Sequence, residues 1–160
     1  MMEPIFRKPL LEDKEVLENI YGLYEDINSE SAFGTLFLWA DAYNIEICIE
    51  NGVLFKKFGF EDINYQFPLG CKSDLELKNA VEVLKKDSEK YGKLRFCGLL
   101  EWQANELQKL FPGRFLFKNQ RDDYEYIYLA KDLAKLKGKK YHSKRNHISK
   151  FSKLYDWKYI

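Results

Sequence analysis

The sequence has few cysteines, and no two of them lie close together. Cys48, Cys71 and Cys97 are too few and too scattered for a disulfide framework or a paired zinc spacing. Cys48 and Cys97 each lie in an apolar run, where a free cysteine acts as a small hydrophobic residue. Cys71 has no histidine beside it, which argues against a nucleophilic role. The cysteines therefore predict neither disulfide-stabilised nor zinc-dependent structure.

Long hydrophobic runs are also missing. The densest apolar patch, residues 33–40, is far too short to span a membrane. Residues 1–10 carry charges and no apolar centre, so they do not form a signal peptide. We therefore expect a cytoplasmic protein without a transmembrane segment.

Motifs for catalysis and metal binding are lacking too. The sequence has no phosphate-binding Walker loop and no Ser-His-Asp order. Its two histidines, His142 and His147, are five residues apart, about 140° around a helix, so they do not form a metal-binding pair. No metal site is predicted, and the catalytic residues stay unknown at this stage.

What the sequence does contain is a globular composition with a polarised charge. A length of 160 residues with 46% hydrophobic and 16% aromatic residues predicts a folded domain with a large core. Residues 131–160 hold ten basic and two acidic residues, whereas residues 1–130 hold 16 basic and 23 acidic residues. An acidic body joined to a basic tail indicates an anionic partner for the tail.

Residues 139–155 predict a helix with two faces, starting afresh after Gly138. Tyr141, Ile148, Phe151 and Tyr155 form an apolar stripe that we expect to be buried. The opposite, wet face spans about 100° and carries Lys139, His142, Asn146, Ser149, Lys150 and Lys153. A solvated lysine face is the simpler interpretation, but histidine, asparagine and serine add directed hydrogen bonds to the diffuse attraction of lysines.

Periodicity and turn residues predict the element order β-α-α-β-β-β-α-β-α-β-β over residues 4–130. The predicted strands are residues 5–10, 45–49, 53–58, 64–69, 93–99, 114–118 and 124–129. The predicted helices begin near Glu12, Phe33, Ser73 and Glu101. Asn51-Gly52 predicts a tight hairpin between the second and third strands.

This order resembles the GNAT acyltransferase fold, an α/β (α+β) architecture with a mixed, mostly antiparallel sheet flanked by helices. Three local sequences extend the resemblance over essentially the whole chain: residues 31–39 (SAFGTLFLW), 65–70 (YQFPLG) and 138–148 (GKKYHSKRNHI). They are similar to an uncharacterised bacterial family related to the C-terminal domain of phosphatidylglycerol lysyltransferases, and more distantly to Fem-type peptidyltransferases.

The resemblance implies two GNAT-like halves in tandem. Residues 1–130 would form the N-terminal half, and residues 131–160 a basic connecting helix leading into the first strand, residues 157–160, of a missing second half. Relatives of this type take an aminoacyl group from a charged tRNA or an acyl group from coenzyme A. The implied partners are the second half of the polypeptide, tRNA or coenzyme A, and a peripheral lipid acceptor.

One departure from the GNAT pattern affects the cofactor. A GNAT half binds its pyrophosphate on a Gly-rich turn, but the corresponding residues 68–73 contain one glycine and no Gly-x-Gly. Ser73 is better explained as a helix cap. We therefore expect no cofactor in this half, with acyl-CoA or aminoacyl-tRNA as the donor of a longer protein.

Three hypotheses follow. The chain is a non-catalytic half of an acyl- or aminoacyltransferase, a non-enzymatic nucleic-acid-binding module, or a structural domain whose basic helix docks another domain. In the first two, the anion-binding residues would be Lys139, Lys140, His142, Lys144, Arg145, Asn146 and Lys150. The alternating Tyr124, Tyr126 and Tyr128 could stack bases, although a tyrosine-lined sheet face covered by a helix is the simpler interpretation of the sequence. Phosphate contacts weaken steeply with salt, whereas apolar docking does not.

Overall fold

The computed structural model describes residues 4–25 and 28–158. The chain divides into two compact units, Met1–Asp123 and Tyr124–Ile160, which we call the N-terminal and the C-terminal unit. Each is described by itself. The division into domains 1–130 and 131–160 stays a prediction, because compactness alone does not establish independent folding.

Six α-helices lie in the described residues, together with short 3₁₀ turns. They are α1 (Lys14–Tyr21), α2 (Phe33–Trp39), α3 (Asp74–Ser88), α4 (Glu101–Leu110), α5 (Ala130–Lys135) and α6 (His142–Leu154). The four helices predicted in residues 4–130 are thus confirmed. So is the cap of α3, where Ser73 Oγ accepts a hydrogen bond from the Glu76 N–H at 3.2 Å.

The described residues form one sheet of three antiparallel strands, in the order β1 (Glu46–Glu50), β2 (Val53–Phe58) and β3 (Asn64–Tyr65). Strands β1 and β2 pair from Glu46↔Lys57 to Glu50↔Val53. The predicted hairpin turn is confirmed: Asn51 and Gly52 both have positive φ, 52° and 80°, as a two-residue turn between twisted strands requires.

The other predicted strands are wrong or shortened. The predicted strand 64–69 keeps two residues, and residues 5–10 and 93–99 make only the isolated bridges Arg7↔Ile47 and Tyr65↔Phe96. Residues 114–118 and 124–129 have no strand structure. Alternating hydrophobicity shows which side chains face inward, but a strand also needs a neighbouring backbone within hydrogen-bonding reach. Gly98, with φ of 66°, bends one such segment away from extended pairing.

The fold class is therefore α+β, with a small antiparallel sheet among helices rather than the larger mixed sheet that we expected. Trp157 and Lys158 have no regular structure in the part of the chain that is described. The rest of the expected final strand, Tyr159 and Ile160, lies outside the described residues.

The core lies on both faces of the sheet. Ile47 and Leu54 join one buried cluster with residues of α1, α2 and α4, including Leu17, Leu36 and Leu107. On the other face lies a second cluster, which contains Cys48, Phe55, Tyr65, Ala80 and Leu84. Alternate residues of β1 and β2 thus enter opposite clusters, as the two-residue period of a strand requires.

Two adjacent lysines of β2 are buried in different environments. Lys57 Nζ lies 3.4 Å from Asp87 Oδ2 and 3.6 Å from Glu46 Oε2. Lys56 Nζ instead donates to the backbone carbonyl of Glu30 at 3.3 Å. Burial lowers the pKa of Lys56 to about 8, only partly opposed by the negative charge of Glu30. One buried ammonium group is therefore balanced by carboxylates, and its neighbour largely is not.

Candidate functional site

Ion pairing differs sharply between the two units. In the N-terminal unit, cations on several elements pair with carboxylates, as in Arg7–Asp13, Arg95–Asp62 and Lys109–Asp74. In the described part of the C-terminal unit, Lys140 pairs with Asp132. The C-terminal unit contains ten basic and three acidic residues. Most of its positive charge is therefore uncompensated.

Helix α6 carries much of this charge on a solvent-exposed surface. Its residues are all exposed. His142, Asn146, Lys150 and Lys153 lie within about 80° of one another around the helix axis and extend for about 16 Å along it. We call these four residues the α6 row. Asn146 Nδ2 lies 3.4 Å from His142 Nδ1, while Lys150 and Lys153 make no ion pair with described residues. The row thus combines two free cations with two groups capable of directed hydrogen bonds.

A small pocket lies beside the start of α6. It has a volume of about 330 Å³ and is lined by Ile127, Tyr128, Leu129, Asp132, Lys140, Tyr141 and Lys144. We call it the tyrosine pocket. Its two tyrosine rings are 6.5 Å apart between centroids and tilted by 47°. Aromatic, apolar, cationic and acidic groups all meet in this one place.

Asp132 organises the polar side of the tyrosine pocket. Its Oδ2 accepts hydrogen bonds from Lys140 Nζ at 3.0 Å and from Tyr141 Oη at 3.1 Å. The hydrogen bond from Lys140, more than any other cause, holds the pKa of Asp132 below its usual range, and the same contact raises the pKa of Lys140. Lys140 is therefore charged and already partnered.

Arg145 differs from the other predicted anion ligands, because its side chain binds the backbone of its own chain. Its guanidinium group donates to the backbone carbonyls of Leu136 and Gly138, the latter at 2.9 Å. Helix α5 ends at Lys135, and the residues that follow have positive φ, 46° at Leu136 and 91° at Gly138. Arg145 thus stabilises the turn between α5 and α6, because it satisfies the carbonyl of Leu136, which the end of α5 leaves open, and also binds the carbonyl of Gly138.

The seven predicted anion-binding residues therefore do not form one surface. His142, Asn146 and Lys150 belong to the α6 row, Lys140 and Lys144 line the tyrosine pocket, and Arg145 holds the turn. Lys139 lies in the 3₁₀ turn before α6 and makes no ion pair with described residues. The predicted anion-binding set does not include Asp132. The only sequence sign of Asp132 was its position as one of two acids in a basic segment.

The expected buried stripe of this helix is wrong for three of its four residues. Tyr141 is 4% exposed, but Ile148, Phe151 and Tyr155 are 52%, 48% and 59% exposed. Phe151 packs on the rings of Tyr155 and Trp157 at centroid distances of 4.9 and 6.2 Å. The helical period correctly groups these residues, but other apolar residues of the C-terminal unit, such as Ile127, Leu129 and Leu154, are exposed themselves and do not bury them.

Other candidate chemistry finds no support in the described residues. They contain no group of three or more His, Cys, Asp or Glu side chains that could hold a metal ion. Burial raises the pKa of Cys48, and it raises that of Cys71 to about 11, which disfavours the reactive thiolate. No helix in the described part of the chain is long and apolar enough to cross a membrane.

The turn at residues 68–73 is engaged within the chain. The Gly70 N–H donates to Tyr24 Oη at 2.8 Å, and the Lys72 N–H donates to Glu76 Oε2 at 2.6 Å. A Cβ at Gly70 would lie 2.1 Å from the carbonyl oxygen of Gly52. The glycine is therefore explained by a close backbone approach, and these two amides already have protein acceptors.

The fold and the charged surface define the class, an α+β domain with an exposed cationic helix near its C-terminal end. The sequence model of the family described as phosphatidylglycerol lysyltransferase, C-terminal, matches residues 21–160. The chain belongs to this family, as the local sequences predicted, and is thus a transferase-related domain. No curated protein matches the chain.

A solved structure extends the comparison. The crystal structure of a conserved protein of unknown function from Bacteroides thetaiotaomicron is similar to this chain, with 31% sequence identity and a TM-score of 0.76. The match covers 95% of this chain and 51% of that one. The chain therefore spans about half the length of that relative.

Proposed function

We propose that this chain is a non-catalytic half of an acyl- or aminoacyltransferase of tandem GNAT type, and that its basic segment contacts the anionic donor. The family membership supports a transferase. The relative of about twice this length supports a second half in the same polypeptide, which would hold the catalytic residues. The acceptor of the whole protein would be a lipid at the membrane surface, reached from the cytoplasmic side.

The observation that carries the proposal is the uncompensated charge of α6. Lys150 and Lys153 have no carboxylate partner among the described residues, in contrast to the paired cations of the N-terminal unit. Unpaired surface cations raise the local concentration of anions and release counterions when they meet phosphates. His142 and Asn146 lie in the same row and can donate hydrogen bonds to phosphate oxygens.

The length of the α6 row favours tRNA over coenzyme A as the donor. A row of about 16 Å is longer than a single pyrophosphate, and it suits a polymer whose phosphates repeat along a strand. The turn at residues 68–73 gives coenzyme A little support, because the amides of Gly70 and Lys72 are already engaged.

A binding experiment with labelled tRNA and labelled coenzyme A tests this proposal. The variant replaces Lys139, Lys150 and Lys153 with Ala, and it leaves Arg145 in place because of its structural contacts. We expect tRNA binding to weaken at least about tenfold at low salt, since three phosphate contacts are lost. If coenzyme A bound more tightly than tRNA, the donor would be acyl-CoA, and the preference for tRNA would be refuted.

The matched control removes three lysines from the N-terminal unit, Lys14, Lys85 and Lys109, each of which is ion-paired there. It lowers the net charge by the same amount but leaves α6 unchanged. We expect tRNA binding to stay within about twofold of wild type, since long-range attraction alone is largely screened. Equal losses in both variants would refute a local role for α6.

A further inference from the structure

We propose that the tyrosine pocket binds one nucleotide, with the base against the tyrosine rings and the phosphate on Lys144. The inference rests on the proposed function, because both proposed donors, tRNA and coenzyme A, contain a nucleotide. It concerns a different place from the α6 row. Lys144 lies about 160° around the helix axis from Asn146.

The pocket has a suitable size and lining for one nucleotide. Its volume of about 330 Å³ is at the lower end of the ~300–1,000 Å³ typical of ligand pockets. Apolar groups from Ile127 and Leu129 and two aromatic rings line it together with two cations and one acid. A few placed polar groups among apolar ones are what orients a small ligand.

One side of the pocket is fixed by hydrogen bonds. Tyr141 is buried, and its hydroxyl shares Asp132 Oδ2 with Lys140 Nζ. Lys140 Nζ also lies 4.7 Å from the centroid of the Tyr141 ring. These contacts hold the ring and pair the charged Lys140 with Asp132, so this side presents a preformed surface rather than an unpaired charge.

Lys144 supplies the free charge. It makes no ion pair with described residues, and its Nζ lies over the Tyr128 ring at 5.0 Å from the centroid. A cation over an exposed tyrosine is weakly held. A phosphate can therefore draw the ammonium group away from the ring at little cost, which at the same time uncovers the ring for a base.

Tyr128 is the ring that a base would stack on. It is 41% exposed, in contrast to the buried Tyr141. Stacking on an aromatic ring is available to every base, but Asp132 adds a preference. Its Oδ1 accepts no hydrogen bond from described residues, so it can accept one from an exocyclic amino group. Adenine, cytosine and guanine have such a group, whereas uracil does not.

The test measures the binding of AMP, UMP, adenosine and inorganic phosphate to the whole chain by calorimetry. We expect saturable AMP binding that is several-fold tighter than UMP binding. Tyr128→Ala should weaken both AMP and adenosine at least about fivefold through lost stacking. Lys144→Ala should weaken AMP but leave adenosine unchanged, because adenosine has no phosphate.

The matched control is Lys150→Ala, which removes an equal charge from the α6 row. It should leave AMP binding unchanged while it weakens tRNA binding. Equal losses of AMP binding in Lys144→Ala and Lys150→Ala would reduce the effect to diffuse attraction and overturn the proposal. A chemical unfolding midpoint unchanged in each variant shows that the fold is intact, and Tyr128→Phe, which keeps the ring, should restore AMP binding.

The pocket and the proposed function can fail separately. Absence of AMP binding with normal tRNA binding by the α6 row would overturn the pocket alone. Loss of both would overturn both. If tRNA displaces bound AMP, the natural ligand of the pocket is a nucleotide of tRNA. If coenzyme A displaces it, the natural ligand is the nucleotide part of the coenzyme. Displacement by neither would contradict the link between pocket and donor.

Discussion

The two buried lysines of β2, Lys56 and Lys57, test how charge burial affects the stability of the fold. Replacement by Met, which is apolar and similar in shape, should raise the free energy of unfolding at Lys56 and lower it at Lys57. Lys56 lacks a close carboxylate partner, and the reduction of its pKa from 10.5 to about 8 corresponds to roughly 3 kcal/mol of charge-burial cost at ~1.4 kcal/mol per pKa unit. Lys56→Met removes this cost together with the hydrogen bond to the Glu30 carbonyl, worth about 1 kcal/mol. We expect the variant to be more stable by about 2 kcal/mol at pH 7.

This gain should depend on pH. The unfolded chain keeps the Lys56 proton up to a pH near 10.5, whereas the folded chain loses it near pH 8. The unfolded state therefore binds more protons between these values, and the wild-type free energy of unfolding rises with pH relative to that of the variant. The advantage of Lys56→Met is full below about pH 8 and shrinks towards pH 10. Buried cysteines and tyrosines also titrate in alkali, but they do so equally in both proteins.

Urea unfolding of wild type and Lys56→Met at several pH values between 7 and 9.5 measures this difference. A variant that is less stable than wild type at pH 7, or a difference that does not change with pH, would refute the reasoning. Lys57→Met is the matched control. It leaves Asp87 buried with one cation fewer, and it should destabilise by about 3 kcal/mol, as expected when one member of a buried ion pair is removed.

Three further substitutions, two of them with a comparison variant, test the packing by chemical unfolding. Ser73→Ala should lower the free energy of unfolding by about 1 kcal/mol because α3 loses its cap. Ser73→Thr should retain most of the wild-type stability, since threonine can also cap. An unchanged stability of Ser73→Ala would contradict the role of Ser73 as the cap. Gly70→Ala should destabilise by more than about 2 kcal/mol, because its new Cβ would meet the Gly52 carbonyl oxygen, whereas a tolerated alanine would show the backbone contact to be absent. Phe151→Ala should cost less than about 1 kcal/mol, since the ring is half exposed, while Leu107→Ala should cost about 2–5 kcal/mol; similar losses would mean that Phe151 is buried after all.

Local chemistry made the helices and the hairpin predictable. Ser73 before an acidic first turn defines the start of α3, and Asn51-Gly52 defines a turn, because both effects act within a few residues. The absence of regular strands at residues 93–99 and 114–118 was not predictable in this way, since a strand depends on a partner distant in sequence. Apolar alternation there marks burial beside the sheet, as with Phe96, whose segment makes a single bridge to Tyr65.

The candidate site was predictable only in its charge. Composition alone located the basic segment, and the helical period placed His142, Asn146 and Lys150 on one side. The separate roles of Lys144 and Arg145 depend on contacts with Tyr128 and with the turn at Leu136 and Gly138. Those contacts join residues across a break between helices, where no periodicity connects them.

The salt dependence of tRNA binding tests the central claim most directly. The logarithm of the association constant is measured against the logarithm of salt concentration for wild type and for the variant without Lys139, Lys150 and Lys153. We expect a steep negative slope for wild type, reduced in magnitude by about 3 in the variant, or about one unit per lost phosphate contact. Identical slopes in the two proteins would contradict the claim that this basic segment holds a phosphate-bearing donor.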